Sequence, residues 1–231
     1  MEDYGYIKRN YERLRLELDE LSERLSVPKI SLVCVTKSGS DEELLALCRA
    51  GAADIGENRP GELSRRGELL RSEGLMPNLH EIGTLQRNKV KYIIDKVALI
   101  HSLDKLSLAE EIDRRAGAIG RRVPVLIEVN SAAEANKSGA TLEYARELAE
   151  AIKDFKNIAL KGLMTMGPAV SDPEELRPYF RMTKRLFDEM KSEGLFEGDG
   201  ILSMGMSDSY KVAIEEGSTL VRVGRHLFIK D

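Results

Sequence analysis

Four residues that could take part in chemistry lie at or near the ends of short apolar segments. Lys37 follows the run at 32–36, Arg222 lies within the run at 219–223, and Ser207 and Gly224 close two late segments. A lysine that is desolvated near other cations has a lowered pKa and attacks carbonyl groups to form a Schiff base. Small residues in a turn expose backbone N–H groups, which bind phosphate when a helix begins there. The combination predicts a site for a phosphorylated aldehyde.

The lysine and the arginine each allow a second interpretation. Alternation along a strand places Lys37 on the face of Val33 and Val35, so its side chain either enters a barrel interior or starts a surface loop. An arginine within an apolar strand is costly unless it is paired. Arg222 therefore either forms an internal ion pair with an acid such as Glu128, or donates to a ring nitrogen that it keeps unprotonated.

Polar segments follow several other predicted strands. Asn58, in the stretch Gly-Glu-Asn-Arg at 56–59, offers both a donor and an acceptor to a ring substituent, although Gly and Asn are also ordinary turn residues. An amide-rich loop at 80–89 has no role that the sequence assigns. Lys137 lies in a later loop, and we favour the interpretation that it is an ordinary solvated surface residue without a role in binding.

The elements that position these residues alternate between strands and helices along the sequence. Eight short apolar runs predict strands, and each of the first seven precedes a helix-like segment. This order predicts a parallel sheet, and eight units in 231 residues fit a closed (β/α)8 barrel of the TIM type. An apolar stripe between Ile7 and Leu25 predicts an extra N-terminal helix in the position of the missing eighth helix. A doubly wound sheet is the alternative, but it normally carries a glycine-rich turn after its first strand. The strands are expected at 30–36, 53–55, 79–82, 97–101, 123–130, 158–164, 201–203 and 219–223. The helices that follow them are expected at 41–50, 59–72, 86–94, 105–118, 142–153, 173–192 and 209–216, with Ser40 as the N-cap of the first.

Composition narrows the class of protein. Hydrophobic residues make up 42% and charged residues 32%, which fits a domain with a substantial core. A net charge of −4 does not favour binding to nucleic acid or to an anionic membrane, and no apolar run is long enough to cross a bilayer. The two cysteines are expected to be buried apolar residues, and no Cys/His spacing predicts a metal site. We expect a cytoplasmic protein with one domain over residues 1–231.

Several motifs together resemble one family. Besides the segments above, they include His-Glu-Ile-Gly-Thr-Leu-Gln-Arg-Asn-Lys at 80–89, Lys-Ser-Gly at 137–139, Leu-Ser-Met-Gly-Met-Ser at 202–207 and Val-Arg-Val-Gly at 221–224. In this order they resemble the pyridoxal phosphate homeostasis proteins, single-domain relatives of the barrel of alanine racemase. The position of Glu81 is usually aromatic in that family, and the residues after Phe228 differ from its usual ending.

The resemblance implies a cofactor and a set of residues that hold it. Lys37 is implied to carry pyridoxal 5′-phosphate (PLP) as an internal aldimine, with Asn58 near the ring and Arg222 at the pyridine nitrogen. The implied phosphate site consists of Ser203, Ser207, Gly224 and the backbone of Arg225.

Three functions compete at this stage. The first is a monomeric protein of vitamin B6 homeostasis that holds PLP, passes it to apo-enzymes and has no catalytic residues of its own. The second is a PLP-dependent amino acid racemase, which needs an opposing base from an additional domain that we do not find in this sequence. The third, a barrel enzyme that acts on a sugar phosphate, explains the phosphate site but leaves Arg222 without a role.

Overall fold

The computed structural model describes residues 4–132, 134 and 138–230. Its eight strands are all parallel, and they pair in chain order until the last strand meets the first. The predicted closed (β/α)8 barrel is therefore confirmed, and the open-sheet alternative is wrong. The strands are β1 (Ser31–Val35), β2 (Asp54–Glu57), β3 (Asn78–Glu81), β4 (Val97–Leu103), β5 (Val123–Glu128), β6 (Ile158–Met164), β7 (Ile201–Ser203) and β8 (Leu220–Val223).

Helices cover the outside of the barrel. They are α1 (Gly5–Leu25), α2 (Asp41–Arg49), α3 (Pro60–Ser72), α4 (Leu106–Ala118), α5 (Leu142–Ile152), α6 (Arg177–Ser192) and α7 (Tyr210–Glu215). Ser40 begins α2 with the predicted cap, in which its hydroxyl accepts from the backbone N–H of Glu43. The N-terminal helix α1 packs between α7 and α2, where the eighth helix of the barrel would lie.

Two predicted helices differ from the structure. The segment after β3 forms a 3-10 helix, Arg87–Tyr92, in place of an α-helix over 86–94. The predicted helix at 173–192 is divided into a 3-10 turn, Pro173–Leu176, and α6, which has a proline in its first turn. Proline lacks the N–H that would continue a hydrogen-bonded helix through this position, so the division falls there.

The alternation of side chains separates an outer and an inner core. Leu32 and Cys34 of β1 pack with the helices, while Leu99, Leu126 and Met164 form a small apolar cluster of their own. Val33 and Val35 are buried but belong to neither cluster, so the two faces that the sequence assigns to β1 are separate in the structure. Lys37 lies two residues beyond β1, and its orientation stays a prediction. Cys34 and Cys48 are free thiols, and burial raises the pKa of each. Within the described residues, no helix is long and apolar enough to span a membrane.

Candidate functional site

Strand register brings Lys37, Asn58 and Gly224 to neighbouring positions at the carboxyl end of the barrel. Val35 pairs with Gly56 on one side, and Cys34 pairs with Val223 on the other. Lys37 and Asn58 each lie two residues beyond the first of these pairs, and both side chains are exposed. The lysine is thus not desolvated by the protein alone. Its access from solvent suits condensation with an incoming aldehyde.

A small residue permits the close approach of two loops beside Lys37. A Cβ atom on Gly83 would lie 2.3 Å from the carbonyl oxygen of Asn58, which is too close for any other residue without movement of the backbone. The loop after β3 therefore packs directly on the loop that carries Asn58.

The two turns that are predicted to hold phosphate follow β7 and β8, and a hydrogen bond joins them. Ser207 is buried, and its Oγ accepts a hydrogen bond of 3.3 Å from the backbone N–H of Gly224. A Cβ atom on Gly224 would lie 2.9 Å from the carbonyl oxygen of Val35, so a larger residue would crowd β1. The side chain of Arg225 is exposed and pairs with Asp208, the residue after Ser207.

The sequence predicts a helix at 209–216, after the first of these turns, and the structure confirms it to within one residue at each end. Helix α7 begins at Tyr210, three residues after Ser207, and has only six residues. Its macrodipole is correspondingly small. Backbone N–H groups and hydroxyls of the turns, and not a helix terminus, are the groups available to an anion.

Arg222 lies inside the barrel with 4% of its surface exposed. Its Nη1 donates to the carbonyl oxygen and to the Oγ of Ser203, at 3.0 and 2.6 Å, and its Nη2 donates to the carbonyl oxygen of Thr165 at 3.1 Å. A guanidinium has five N–H donors. Two of the five therefore have no partner among the described residues, which suits an additional acceptor such as a ring nitrogen.

The internal ion pair between Arg222 and Glu128 is not formed. Glu128 instead accepts from the hydroxyl of Ser138 at 2.9 Å. Burial lowers the pKa of Arg222 to about 10, and the more distant charge of Glu128 opposes this shift. Burial also raises the pKa of Glu128, while Ser138 and Arg222 partly offset that effect.

Ser203 lies deeper than the other proposed phosphate residues. It is fully buried, and its Oγ contacts both Arg222 and Nδ1 of His101, the latter at 3.2 Å. The hydroxyl thus holds the arginine. Its predicted contact with phosphate remains a prediction.

Two residues that hold parts of the site were not predicted from the sequence. Thr165, just after β6, holds Arg222 through its carbonyl oxygen. Arg66 of α3 donates to the carbonyl oxygens of Thr36 and Gly39, on either side of Lys37. Backbone acceptors leave no trace in a sequence, although an arginine on the apolar face of α3 was a visible signal. Lys137 lies outside the described residues.

The donor set fits a phosphorylated pyridine aldehyde better than a metal ion. Among residues 4–132, 134 and 138–230, no group of His, Cys, Asp or Glu is placed to hold a metal. Lys37 offers an amine for an aldehyde, the hydroxyl of Ser207 can donate to a phosphate while it accepts from Gly224, and Arg222 retains N–H donors without a described partner for a ring nitrogen.

Comparison with known proteins agrees with this geometry. A family model described as "Alanine racemase, N-terminal domain" matches residues 9–230. The Aquifex aeolicus pyridoxal phosphate homeostasis protein is 43% identical over 85% of this chain and 85% of its own length. The Helicobacter pylori protein of the same name is 38% identical over 86% of this chain and 87% of its own. The chain belongs to the pyridoxal phosphate homeostasis protein family.

Two solved structures share the fold of this chain. PipY of Synechococcus elongatus, solved with PLP bound, is 26% identical, with a TM-score of 0.84 over 96% of this chain and 100% of PipY. Alanine racemase of Clostridium difficile is 17% identical, with a TM-score of 0.72 over 95% of this chain and 57% of the racemase. The latter similarity concerns the fold of the barrel alone.

Proposed function

We propose that this protein binds PLP covalently through Lys37 and takes part in intracellular vitamin B6 homeostasis, without robust catalysis of its own. Family membership supports the proposal, because the curated relatives carry that name and PipY was solved with PLP bound. The observation that carries it for this chain is the buried Arg222. Its two N–H donors without a described partner lie at the carboxyl end of the barrel, as does Lys37.

Each residue of the proposed site has a distinct role. Lys37 provides the amine, Arg222 faces the pyridine nitrogen, and Asn58 lies beside the ring. Ser207, Gly224 and the backbone of Arg225 bind the phosphate, together with Ser203, whose hydroxyl also holds Arg222. When bound, PLP supplies an aldehyde that condenses with amines and a ring that withdraws electrons. An arginine at the ring nitrogen weakens that withdrawal, because it does not protonate the nitrogen.

Borohydride labelling tests covalent binding. The protein is incubated with PLP, reduced, digested and analysed by mass spectrometry, and one phosphopyridoxyl group is expected on the peptide that contains Lys37. Lys105 provides a matched control, since it is also exposed and also lies two residues beyond the end of a strand, β4. Labelling should vanish in Lys37→Ala and persist in Lys105→Ala; equal labelling of both variants would refute the proposal.

The racemase remains the competing function, and turnover separates the two. We expect negligible racemisation or transamination of common amino acids, together with measurable transfer of PLP to an apo-enzyme. Robust turnover of one amino acid that Lys37→Ala abolishes would instead establish an enzyme.

Three further parts of the proposal concern the setting of the protein. We propose that residues 1–231 act as a single PLP-binding domain, that the protein is a monomer in the cytoplasm, and that it supplies PLP to apo-enzymes. The molar mass from light scattering of the PLP-loaded protein tests the monomeric state, and cell fractionation tests the cytoplasmic location. Loss of the protein should disturb the cellular pools of B6 vitamers.

A further inference from the structure

Five polar side chains form a continuous series of contacts inside the barrel. Oδ1 of Asp54 lies 3.1 Å from Nε2 of His80, and Nδ1 of His80 lies 3.0 Å from Nε2 of His101. Nδ1 of His101 lies 3.2 Å from Oγ of Ser203, which in turn lies 2.6 Å from Nη1 of Arg222. We call this series the interior network.

The interior network crosses the barrel from one end to the other. Asp54 is the first residue of β2, at the amino end of the barrel, and 31% of its side chain is exposed. His80, His101, Ser203 and Arg222 are buried, and the last of these belongs to the proposed PLP site. The network therefore connects solvent at the amino end to the residue proposed to face the pyridine nitrogen.

The chemistry of its two ends gives the interior network a direction. Arg222 can only donate hydrogen bonds, and an ionised Asp54 can only accept them. A neutral His80 then donates from Nε2, which leaves its Nδ1 as an acceptor for the Nε2–H of His101. Nδ1 of His101 is consequently an acceptor for the hydroxyl of Ser203. With neutral imidazoles, one proton is available for each contact and no other arrangement satisfies all of them.

The electrostatics of His101 and Asp54 are consistent with this assignment. Burial lowers the pKa of His101 well below its usual range, and the positive charge of Arg222 lowers it further. Partial burial alone would raise the pKa of Asp54. Hydrogen bonds from His80 and Asn78, with the nearby charges, outweigh burial, and the net shift is downward. At neutral pH, His101 is thus neutral and Asp54 is ionised.

We propose that His101, with His80 and Asp54 behind it, acts as a set of positioning residues for Arg222. The directed hydrogen bonds orient the hydroxyl of Ser203 away from the guanidinium, so that its oxygen accepts from Nη1. Together with the carbonyl oxygen of Thr165, this contact fixes the plane of the guanidinium and leaves its remaining donors for the ring nitrogen. The role at the ring rests on the proposed PLP site, whereas the network itself does not depend on the cofactor.

The simpler interpretation is that the histidines only satisfy one another as buried polar groups. The two interpretations differ at Asp54, which is far from Lys37 and partly exposed. If the groups are merely satisfied, Asp54→Asn should affect stability alone, because an amide oxygen can still accept from His80. If direction matters, loss of the carboxylate charge should change the tautomers along the network and the mobility of Arg222.

The first experiment is nitrogen NMR of the histidine side chains in the wild-type protein without PLP. We expect both His80 and His101 to be neutral at pH 7, with the proton on Nε2. A cationic form of either residue at pH 7, or an Nδ1–H tautomer, would overturn the proposed direction. This measurement needs no variant and no cofactor, so its outcome is independent of whether Lys37 binds PLP.

The second experiment compares Asp54→Asn with a matched variant, Asp95→Asn. Asp95 also lies at the amino end of the barrel, before β4, and its ion pair within the described residues is with the neighbouring Lys96. In Asp54→Asn we expect a detectable Nδ1–H tautomer of His80 and severalfold faster exchange of the guanidinium protons of Arg222. In the PLP-loaded protein we expect a shifted pH titration of the absorption spectrum, with Asp95→Asn unchanged in all three readouts. Wild-type values for Asp54→Asn in the two cofactor-free readouts would refute the positioning role.

Discussion

Nη1 of Arg66 lies 2.7 Å from the carbonyl oxygen of Thr36, the residue immediately before Lys37. The same guanidinium also donates to the carbonyl oxygen of Gly39, so the segment that carries the lysine is attached to α3 on both sides. Nη1 of Arg66 further lies 2.6 Å from the buried carboxylate of Glu57, which also accepts from the hydroxyl of Thr36. A helix on the outside of the barrel thus determines where the end of β1 lies.

Arg66→Met should destabilise the protein and loosen the Lys37 segment. Removal of one partner of a buried ion pair leaves a charge without compensation, here that of Glu57, at a cost of about 3–5 kcal/mol. Urea unfolding measures this loss. Arg65→Met is the control on the same helix, because Arg65 makes exposed ion pairs worth about 0–1 kcal/mol. The double variant Arg66→Met/Glu57→Gln should recover part of the stability; no recovery would contradict the charge argument.

Glu81 should make stability depend on pH between about 5 and 8. It is fully buried, and burial raises its pKa to about 8, while the N–H of Gly83 opposes this and the charge of Glu57 adds to it. The folded state thus keeps a proton that the unfolded chain loses near pH 4–5. Stability is complete below that range and falls by about 1.4 kcal/mol per pH unit as pH rises toward 8.

Urea midpoints at several pH values check this slope in wild type and Glu81→Gln. The glutamine has no proton to lose, so the decline attributable to this position should vanish. Glu68→Gln, an exposed change on α3, should retain the wild-type decline. Identical pH profiles for wild type and Glu81→Gln would show that Glu81 is already ionised in the folded protein.

Ser207→Ala should weaken the binding of PLP but not that of unphosphorylated pyridoxal. The hydroxyl lies beside the backbone N–H of Gly224 and is proposed to bind only the phosphate. Loss of one hydrogen bond to a charged group corresponds to about 1.5–3 kcal/mol, or roughly 10- to 100-fold in affinity. Fluorescence titration with the two aldehydes provides the comparison. Equal weakening of both would place Ser207 elsewhere in the site.

Arg222→Glu should change both the spectrum of the bound cofactor and the stability of the fold. The new acid can share a proton with the pyridine nitrogen, so the absorbance of loaded protein should shift and titrate differently. The variant also loses the hydrogen bonds to Ser203 and Thr165 and lies near Glu128, so its unfolding midpoint should fall. A folded variant that retains the wild-type spectrum would exclude contact between Arg222 and the ring.

The sequence by itself determined the barrel and the end of the barrel at which the proposed site lies. Alternating apolar runs and helix signals specify parallel units, and a strand period of two specifies that Lys37 shares a face with Val33 and Val35. These are local properties, which depend on residues a few positions apart. The boundaries of the helices were predicted less accurately. The helix expected after β3 is a 3-10 helix, and the one expected at 173–192 is divided before the proline of α6.

Only the tertiary structure decided which partners meet inside the barrel. The sequence offered Glu128 for Arg222, but strand tilt and register bring Ser203 and a carbonyl oxygen of residue 165 to the guanidinium. His80 and His101 lie 21 residues apart in the sequence, and they come within 3.0 Å of each other because β3 and β4 are neighbours in the closed sheet. Contacts between distant segments depend on the closure and register of eight strands at once, and no local pattern encodes that geometry.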